Sequence, residues 1–336
     1  MRNFSIATAL AAILALPVSA AEVNVYSARH YDADLAIYEA FTKETGIAVN
    51  IVEGSGDELL ERLLAEGTAS PADILVTVDG GRLHRAMEAG LFRAVNSKVL
   101  TERIPEARRH PDNLWFGLTT RARVIFYNRA EGEPAGLSRY EDLADPAFEG
   151  QICIRSSSNI YNVSLMAELI EADGPEAAEA WAAGLARNLA RAPQGGDADQ
   201  IKAVAAGECR IGVANTYYWG RLAGSENPED RAAAEAVGII FPNQADRGTH
   251  VNISGAGVLK NAPNPENAVR LLEYLVGDTA QRILADSNNE YPVVASVAPS
   301  GPISAYADFK DSEVNAAIFG INAAAAIEIF DRAGMP

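Results

Sequence analysis

The chain has 336 residues, of which 48% are hydrophobic and 22% are charged, and its formal net charge at pH 7 is −17. This composition is that of a globular protein with apolar cores, long enough for two domains, and it excludes an intrinsically disordered chain. The acidic balance is unfavourable for binding nucleic acid and suits a soluble protein outside the cytoplasm.

The first twenty residues, 1–20, have the pattern of a secretory signal peptide. They contain a single charge, Arg2, followed by an apolar stretch, and they end in small residues at Val18 and Ala20. The apolar stretch is too short to span a bilayer, and polar sequence follows it directly. We therefore expect an exported mature chain that begins at Ala21.

The mature chain begins as an alternation of short apolar strands and amphipathic helices. Its first segments are strand EVNVYSA, helix DADLAIYEAFTKETG, strand IAVNIVEG, helix GDELLERLLAEGT, strand ADILVTVD and helix GGRLHRAMEAG. The first helix has an N-cap signal at Asp32 and a stop signal at Gly46. This strand–helix order predicts a mostly parallel sheet with helices on both faces.

The pattern changes near residue 118. The segment GLTTRARVIFYN is long and rich in β-forming residues, and NQADRGTHVNISGAGVLK is a second long stretch without a helix signal. Between them lie strand GQICIRS, helices NVSLMAELIEADG, EAAEAWAAGLARNLA and QIKAVAAGE, and strand CRIGVAN. The stretch NPENAVRLLEYLVGDTAQRILADS is predicted to form one helix, and a further helical segment ends the chain.

These segments predict an α/β clamshell of two mostly parallel-sheet lobes joined by two crossing strands. The predicted N-terminal lobe comprises 21–120 and 250–290, the C-terminal lobe comprises 121–249 and 291–336, and the hinge strands lie near 118–128 and 245–258. Ligands of such folds bind in the cleft between the lobes, at the carboxyl ends of strands.

Two cysteines, Cys153 and Cys209, remain in the exported chain. Neither has a partner at the two-residue spacing of a metal-binding pair, and an oxidising compartment favours disulfide formation. Each lies in a strand-like segment of the same predicted lobe. We therefore predict a disulfide bond between them.

Five potential metal-binding side chains follow strands of the predicted fold. His30 and Tyr31 follow the first strand, Tyr161 follows GQICIRS, and Tyr217 and Tyr218 follow CRIGVAN. Any one tyrosine at such a position is most simply explained by a packed ring with an exposed hydroxyl. Their joint placement at strand ends in both lobes instead favours a shared site.

The chemistry of these donors selects among metals. Phenolate is a hard, anionic oxygen donor, but a free phenol has a pKa near ~10, so only a strongly Lewis-acidic cation removes its proton near neutral pH. Calcium and magnesium prefer carboxylates and carbonyls, and zinc prefers cysteine, histidine and carboxylate. Ferric iron fits best among the common metals. Arg121, on the first crossing strand, could balance excess negative charge, whereas Arg123 is better explained by a salt bridge between the lobes.

The whole mature chain resembles the periplasmic ferric-ion-binding proteins of ABC-type iron importers, which have the type II solute-binding fold. The resemblance is carried by VYSARHYDAD, FTKETGIAVN, SPADILVTVD, GLTTRARVIFYN, RSSSNIYN, PQGGDADQIKAVAAGE, NTYYWGRL, SGAGVLK and NEYPV, of which NTYYWG is the most specific. It implies that Tyr217 and Tyr218 are iron ligands and that His30 matches the histidine of the N-terminal lobe.

The same resemblance implies a function. A periplasmic receptor of this family captures Fe³⁺ between its lobes and delivers it, without chemical turnover, to an inner-membrane ABC permease with its ATPase. We expect a monomer that binds no nucleic acid.

One position departs from the better-known members of this family. Those proteins carry a glutamate ligand just after the PAD strand and complete the metal's coordination with carbonate or phosphate. Val78 stands at that position here, followed by Asp79, so the glutamate is missing. The chain is instead similar to a tyrosine-rich subgroup, in which Tyr31 and Tyr161 match added ligands and no accompanying anion is required.

Two other functions remain open from the sequence. A receptor for an organic cation such as a polyamine could use the tyrosines as an aromatic cage, but it would need carboxylates in the cleft. A periplasmic enzyme could use Tyr217 or Arg121 as an acid or base, but no hydrolase, protease or nucleotide-binding motif accompanies them.

Overall fold

The computed structural model describes residues 21–29 and 31–335. The predicted signal peptide and His30 lie outside the described residues. Within the described ranges, no helix combines the length and the apolar character that crossing a membrane requires.

The described chain contains nine strands and thirteen α-helices. The strands are β1 (Glu22–Ser27), β2 (Ala48–Glu53), β3 (Ile74–Val78), β4 (Phe116–Asn128), β5 (Ile152–Cys153), β6 (Ile211–Asn215), β7 (Val237–Ile240), β8 (Val251–Val258) and β9 (Tyr291–Pro292). The helices are α1 (Asp32–Thr45), α2 (Gly56–Glu66), α3 (Gly80–Glu88), α4 (Lys98–Arg103), α5 (Ile160–Asp173), α6 (Pro175–Arg187), α7 (Asp197–Ala205), α8 (Thr216–Ala223), α9 (Pro228–Ala236), α10 (Pro265–Leu275), α11 (Asp278–Asn288), α12 (Ile318–Ile321) and α13 (Ala323–Arg332).

The strands form one hydrogen-bonded series in the order β2-β1-β3-β8-β4-β6-β5, and β7 and β9 also pair with β4. β1 runs parallel to β2 and β3, and β5 runs parallel to β6. All other pairings, which involve β4 or β8, are antiparallel. The predicted α/β clamshell is confirmed: strands that pair within one lobe are parallel, and the antiparallel pairings are those of the crossing strands. The sheets are mixed, because the two crossing strands, β4 and β8, run antiparallel to the strands with which they pair.

Strand β4 joins the two lobes, as predicted for a long crossing strand. Its first half pairs with β8, and its second half, from Arg123 onward, pairs with β6 and β7. Twelve of its thirteen residues are buried, which matches a sequence that is mostly apolar and β-forming apart from Arg121 and Arg123. β9 pairs with Thr119 and Thr120 of β4, although the sequence placed it in the C-terminal lobe. The residue boundaries of the lobes stay a prediction.

Each lobe has its own hydrophobic core. On the N-terminal side, α1 packs Ile37, Tyr38 and Phe41 against Val23 and Val25 of β1. Burying one such side chain contributes about 1.5–3 kcal/mol, so these contacts fix the start of α1 beside the end of β1. The C-terminal side has a separate core built on α5, α6, β5 and β6. Helices therefore cover both halves of the sheet and leave the strand ends to form the cleft.

The helix predicted near the end of the chain is two helices. α10 ends at Leu275 and α11 begins at Asp278, with Gly277 between them in extended backbone (φ −68°, ψ 151°). The amide of Gly277 donates to the carbonyl oxygen of Tyr274, which closes the last turn of α10. Pro265 stands at the first position of α10, where proline is tolerated, so Gly277 is the interior residue of this stretch that most weakens a helix, and the chain breaks there.

The predicted disulfide is present. Cys153 at the end of β5 and Cys209, just before β6, are bonded, with their Cα atoms 5.8 Å apart. The bond joins the end of β5 to the segment that leads into β6, its parallel neighbour on the C-terminal side.

Candidate metal centre

The four predicted tyrosines occupy the connections that leave β1, β5 and β6. Tyr31 precedes the first residue of α1, and Tyr161 lies in the first turn of α5. Tyr217 and Tyr218 lie in the first turn of α8, which begins directly after the last residue of β6. These are strand-end positions, where open α/β sheets bind their ligands.

Tyr217 contacts both its neighbour Tyr218 and Tyr161. The ring centroids of the two neighbours are 4.2 Å apart, with an interplanar angle of 31°. The hydroxyl of Tyr217 donates to the hydroxyl of Tyr161 at 3.3 Å. Successive side chains in a helical turn diverge far less than on a strand, where they point to opposite faces. The abrupt change from β6 to α8 therefore lets two adjacent phenols share one environment.

Arg221 connects these tyrosines with Tyr31. Its guanidinium carbon lies 4.9 Å from the ring centroid of Tyr217 and 5.9 Å from that of Tyr218. The same atom lies 4.8 Å from the ring centroid of Tyr31. These are cation–π distances. The structure thus brings all four predicted tyrosines together, three around one guanidinium and Tyr161 through its contact with Tyr217.

Sequence reasoning did not single out Arg221. It lies four residues after Tyr217 on the same helix, so it presents its side chain on the same face. That spacing is the signal by which the sequence could have identified it.

Two further arginines contact the ring of Tyr161. The guanidinium carbons of Arg121 and Arg155 lie 5.8 Å and 5.2 Å from its centroid. Arg121 is almost wholly buried, and its Nη1 donates to Ser254. Its Nη2 is buried and has no hydrogen-bond partner among the residues that the structure describes. Positive charge therefore surrounds the phenols, as expected for Arg121 from the sequence.

Arg123 plays a different part from the one predicted. It forms a buried ion pair with Asp197 (3.1 Å) and donates to Asn215 and Asn162. These partners belong to α7, β6 and α5, all on the C-terminal side. The predicted salt bridge exists, but it holds that side together and does not join the two lobes.

The surroundings of Tyr161 and Tyr217 keep these two phenols protonated when no cation is present. Burial raises the pKa of Tyr161 to about 12, the negative charge of an ionised Tyr218 adds to the increase, and Arg121 opposes it. Burial also raises the pKa of Tyr217 well above its ordinary value, with further contributions from Tyr161 and Tyr218. A cation that uses these oxygens must displace their protons, which requires a strong Lewis acid.

Asp79, beside the position of the missing glutamate, has its carboxylate fully engaged. Oδ1 accepts from the amide of Gly81 (2.8 Å) and from the hydroxyl of Ser164 (2.7 Å). Oδ2 accepts from Asn252 at 2.9 Å. The residue caps α3 and is buried, with a left-handed φ of 84°. Its carboxylate is therefore built into the fold, and the preceding Val78 offers no donor atom.

Histidine, cysteine and carboxylate residues could also act as metal ligands. Within 21–29 and 31–335, no group of three or more such residues is placed to hold a metal ion.

Comparison with known proteins places this arrangement in a family. The family described as bacterial extracellular solute-binding protein matches residues 69–314. Iron uptake protein A1 of Synechocystis sp. is 52% identical over 313 residues, covering 93% of this chain and 87% of that protein.

Solved structures agree with the sequence match. The Trichodesmium protein called IdiA or FutA, in complex with iron and citrate ligands, superposes with a TM-score of 0.92 at 54% identity, covering 94% of this chain and 100% of that one. The ferric binding protein from Campylobacter jejuni gives a TM-score of 0.88 at 42% identity, with 94% and 100% coverage. A two-lobe fold built on crossing strands, a cleft lined by strand ends and these matches together lead to one conclusion: the chain belongs to the bacterial extracellular solute-binding proteins.

Proposed function

We propose that this protein is a periplasmic receptor that captures ferric iron in the cleft between its lobes and hands it to an ABC-type permease. The observation that carries the proposal is the convergence of Tyr31, Tyr161, Tyr217 and Tyr218 from three strand ends. The relatives named for iron uptake and ferric-ion binding support the same cargo.

The proposed ligands are the four phenolate oxygens. His30, which precedes Tyr31 in the same connection, is proposed as an additional donor. Four phenolates carry one more negative charge than ferric iron neutralises. Arg121, Arg155 and Arg221 stand against the rings and offset that excess. The cargo itself supplies the Lewis acidity that removes the phenolic protons.

Capture and delivery then follow from the placement of the ligands. Tyr31 follows β1, whereas the other three tyrosines follow β5 and β6 on the far side of the crossing strands. The ion can bind all four oxygens only when the lobes close, so it favours the closed state by its differential affinity. A monomer in this state would present both lobes to an inner-membrane permease with its ATPase. No bond in a substrate is made or broken, so the protein is not an enzyme.

An organic cation is a poorer fit to this site. A polyamine cage needs carboxylates facing its ammonium groups, yet guanidinium groups stand against the rings of all four tyrosines. An ammonium ion among protonated phenols would be repelled by these arginines, whereas ferric iron converts the phenols to anions that the arginines stabilise.

The decisive experiment compares iron binding by the wild-type protein and by Tyr218→Phe. Wild-type protein loaded with ferric citrate should bind one iron per chain and show visible phenolate-to-iron absorption. Tyr218→Phe should remain folded but bind iron at least about tenfold more weakly, since it loses one anionic donor, with the absorption shifted and reduced. Tyr274→Phe, a tyrosine packed on Phe41 away from the cleft, is the matched control.

The proposal would be refuted by a colourless wild-type protein whose melting temperature rises with spermidine and not with ferric citrate. Equal iron affinity and equal absorption in wild type and Tyr218→Phe would refute the ligand assignment alone.

A further inference from the structure

Among the four proposed tyrosine ligands, Tyr31 is the one that its neighbouring helix, α1, holds in place least. It precedes α1 without making a side-chain cap hydrogen bond, and its side chain is partly exposed. Its ring lies between two guanidinium groups, with the carbon of Arg29 at 5.0 Å and that of Arg221 at 4.8 Å from its centroid. The position of this ring therefore depends on what holds those arginines.

Arg29 is held by four hydrogen bonds. Its Nε and Nη2 bind the two carboxylate oxygens of Asp34 at 2.8 and 3.2 Å. Its Nη1 binds Oε2 of Glu290 at 2.9 Å and the hydroxyl of Thr119 at 3.3 Å. Asp34 belongs to α1, the helix that Tyr31 itself precedes. Among the residues that the structure describes, Thr119 and Glu290 are the acceptors that link the Arg29 side chain to a part of the fold beyond α1.

Glu290 links Arg29 to both crossing strands. Thr119 lies in β4, and Oε1 of Glu290 accepts from Ser254 of β8 at 3.2 Å. Glu290 is buried and directly precedes β9, which pairs with β4. Burial would raise the pKa of Glu290, but Arg29 and Arg121 together lower it below its ordinary range, so the carboxylate is charged.

We infer that Glu290 is a positioning residue for iron capture: by holding Arg29 against the crossing strands, it fixes the ring of Tyr31 beside the other three tyrosines. The inference rests on the proposed function. It assigns a role to a carboxylate that does not contact the metal. The hydrogen bond between Arg29 and Glu290 links the β1–α1 connection to the crossing strands. It is charge-assisted and therefore belongs to the stronger class of hydrogen bonds.

The test is Glu290→Gln, which keeps the size of the side chain and removes its charge. Nη1 of Arg29 then has only neutral acceptors on the crossing strands, so the ring of Tyr31 is no longer fixed. Ferric affinity should fall about tenfold, the change expected from losing one charge-assisted contact. The visible absorption per bound iron should fall to that of Tyr31→Phe, because the same phenolate is lost.

A double variant separates positioning from general damage. If Glu290 acts through Tyr31, the combination Tyr31→Phe with Glu290→Gln should bind iron no more weakly than Tyr31→Phe alone. Combined with Tyr218→Phe, by contrast, Glu290→Gln should reduce affinity further. Glu290→Asp, which keeps the charge, should recover part of the absorption.

Two more variants control for loss of a buried carboxylate. Glu168 is as buried as Glu290 and is paired with His250 on the C-terminal side. Glu168→Gln should therefore lower stability and leave the iron absorption unchanged. Arg29→Lys keeps a positive charge but cannot bind Asp34 and Glu290 together, so it should reproduce the spectrum of Glu290→Gln. It tests the inference even if Glu290→Gln fails to fold.

The inference would be overturned by wild-type absorption in both Glu290→Gln and Arg29→Lys. Affinity losses of Glu290→Gln and Tyr31→Phe that add in full would also overturn it. In both outcomes the wild-type protein still binds iron through its tyrosines, and the proposed function stands. A wild-type protein without the absorption would overturn the proposed function and the role of Glu290 with it.

Discussion

Tyr217 and Tyr218 are neighbours in the chain that share one site because β6 ends at Asn215 and α8 begins at Thr216. Had the strand continued by three residues, the two rings would have faced opposite sides of the sheet. The arginines that stand against these rings explain how several phenols can lose their protons in one small volume. At the scale of single residues, burial keeps Tyr161 and Tyr217 protonated, so a cation that binds their oxygens must be a Lewis acid strong enough to displace the protons.

This arrangement predicts a pH-dependent affinity. Because burial raises the pKa of Tyr161 to about 12, that phenol is protonated at neutral pH and must release its proton when iron binds. Ferric affinity, measured by competition with citrate, should therefore rise with pH between about 6 and 8, by about tenfold per unit for each proton released. Tyr161→Phe should release one proton fewer. An affinity independent of pH, after correction for citrate, would contradict this.

At the scale of elements, the Cys153–Cys209 bond joins the end of β5 to the segment that enters β6. These are the strands whose ends carry three of the four tyrosines. Between the cysteines lie α5, α6 and α7, a sequence separation of 56 residues. Closing a loop of that length restricts the unfolded chain and stabilises the fold by about 4 kcal/mol in the chain-entropy model.

Removing the bond should lower the melting temperature of the protein. A Cys153→Ala, Cys209→Ala double variant should be less stable by about 2–4 kcal/mol in denaturant unfolding. Its stability should no longer respond to reductant, whereas that of wild type should. Ferric affinity at low temperature should stay close to wild type, since neither cysteine, bonded to the other, supplies a donor atom to the proposed site. A double variant as stable as the wild-type protein would show that the bond is dispensable.

At the scale of the whole molecule, the two crossing strands are where the lobes meet, and the tyrosines lie on both sides of them. Tyr31 belongs to the connection after β1, and it contacts Arg221 of α8 across the cleft. When the ion binds ligands from both lobes, the closed state gains binding free energy that the open state lacks. This difference shifts the population toward closed molecules.

Iron loading should therefore compact the protein. Small-angle X-ray scattering should give a smaller radius of gyration for the ferric form than for the apoprotein. Tyr31→Phe should still bind iron through its other three tyrosines but should compact less, because its first lobe has lost an anionic donor. Tyr274→Phe should behave as wild type. Identical scattering of the apo and ferric wild-type proteins would argue against closure.

The sequence by itself determined the alternation of strands and helices at the start of the chain, the long crossing strand, the cysteine pair and the location of the tyrosines after strands. These features depend on local signals: apolar periodicity, caps such as the glycine that ends α1, and residue chemistry. Tyr161, Tyr217 and Tyr218 could be placed because each follows its strand within a few residues.

Only the tertiary structure decided the direction of the sheet, the role of Arg221 and the network that supports Tyr31. The sheet is mixed because β4 and β8 pair antiparallel with strands that are far away in the sequence. No local sequence pattern specifies which strands pair with each other. Arg29 and Glu290 are 261 positions apart, and each taken alone is an ordinary charged residue. Their contact exists because the fold buries both beside the crossing strands, where an unpaired charge would be costly.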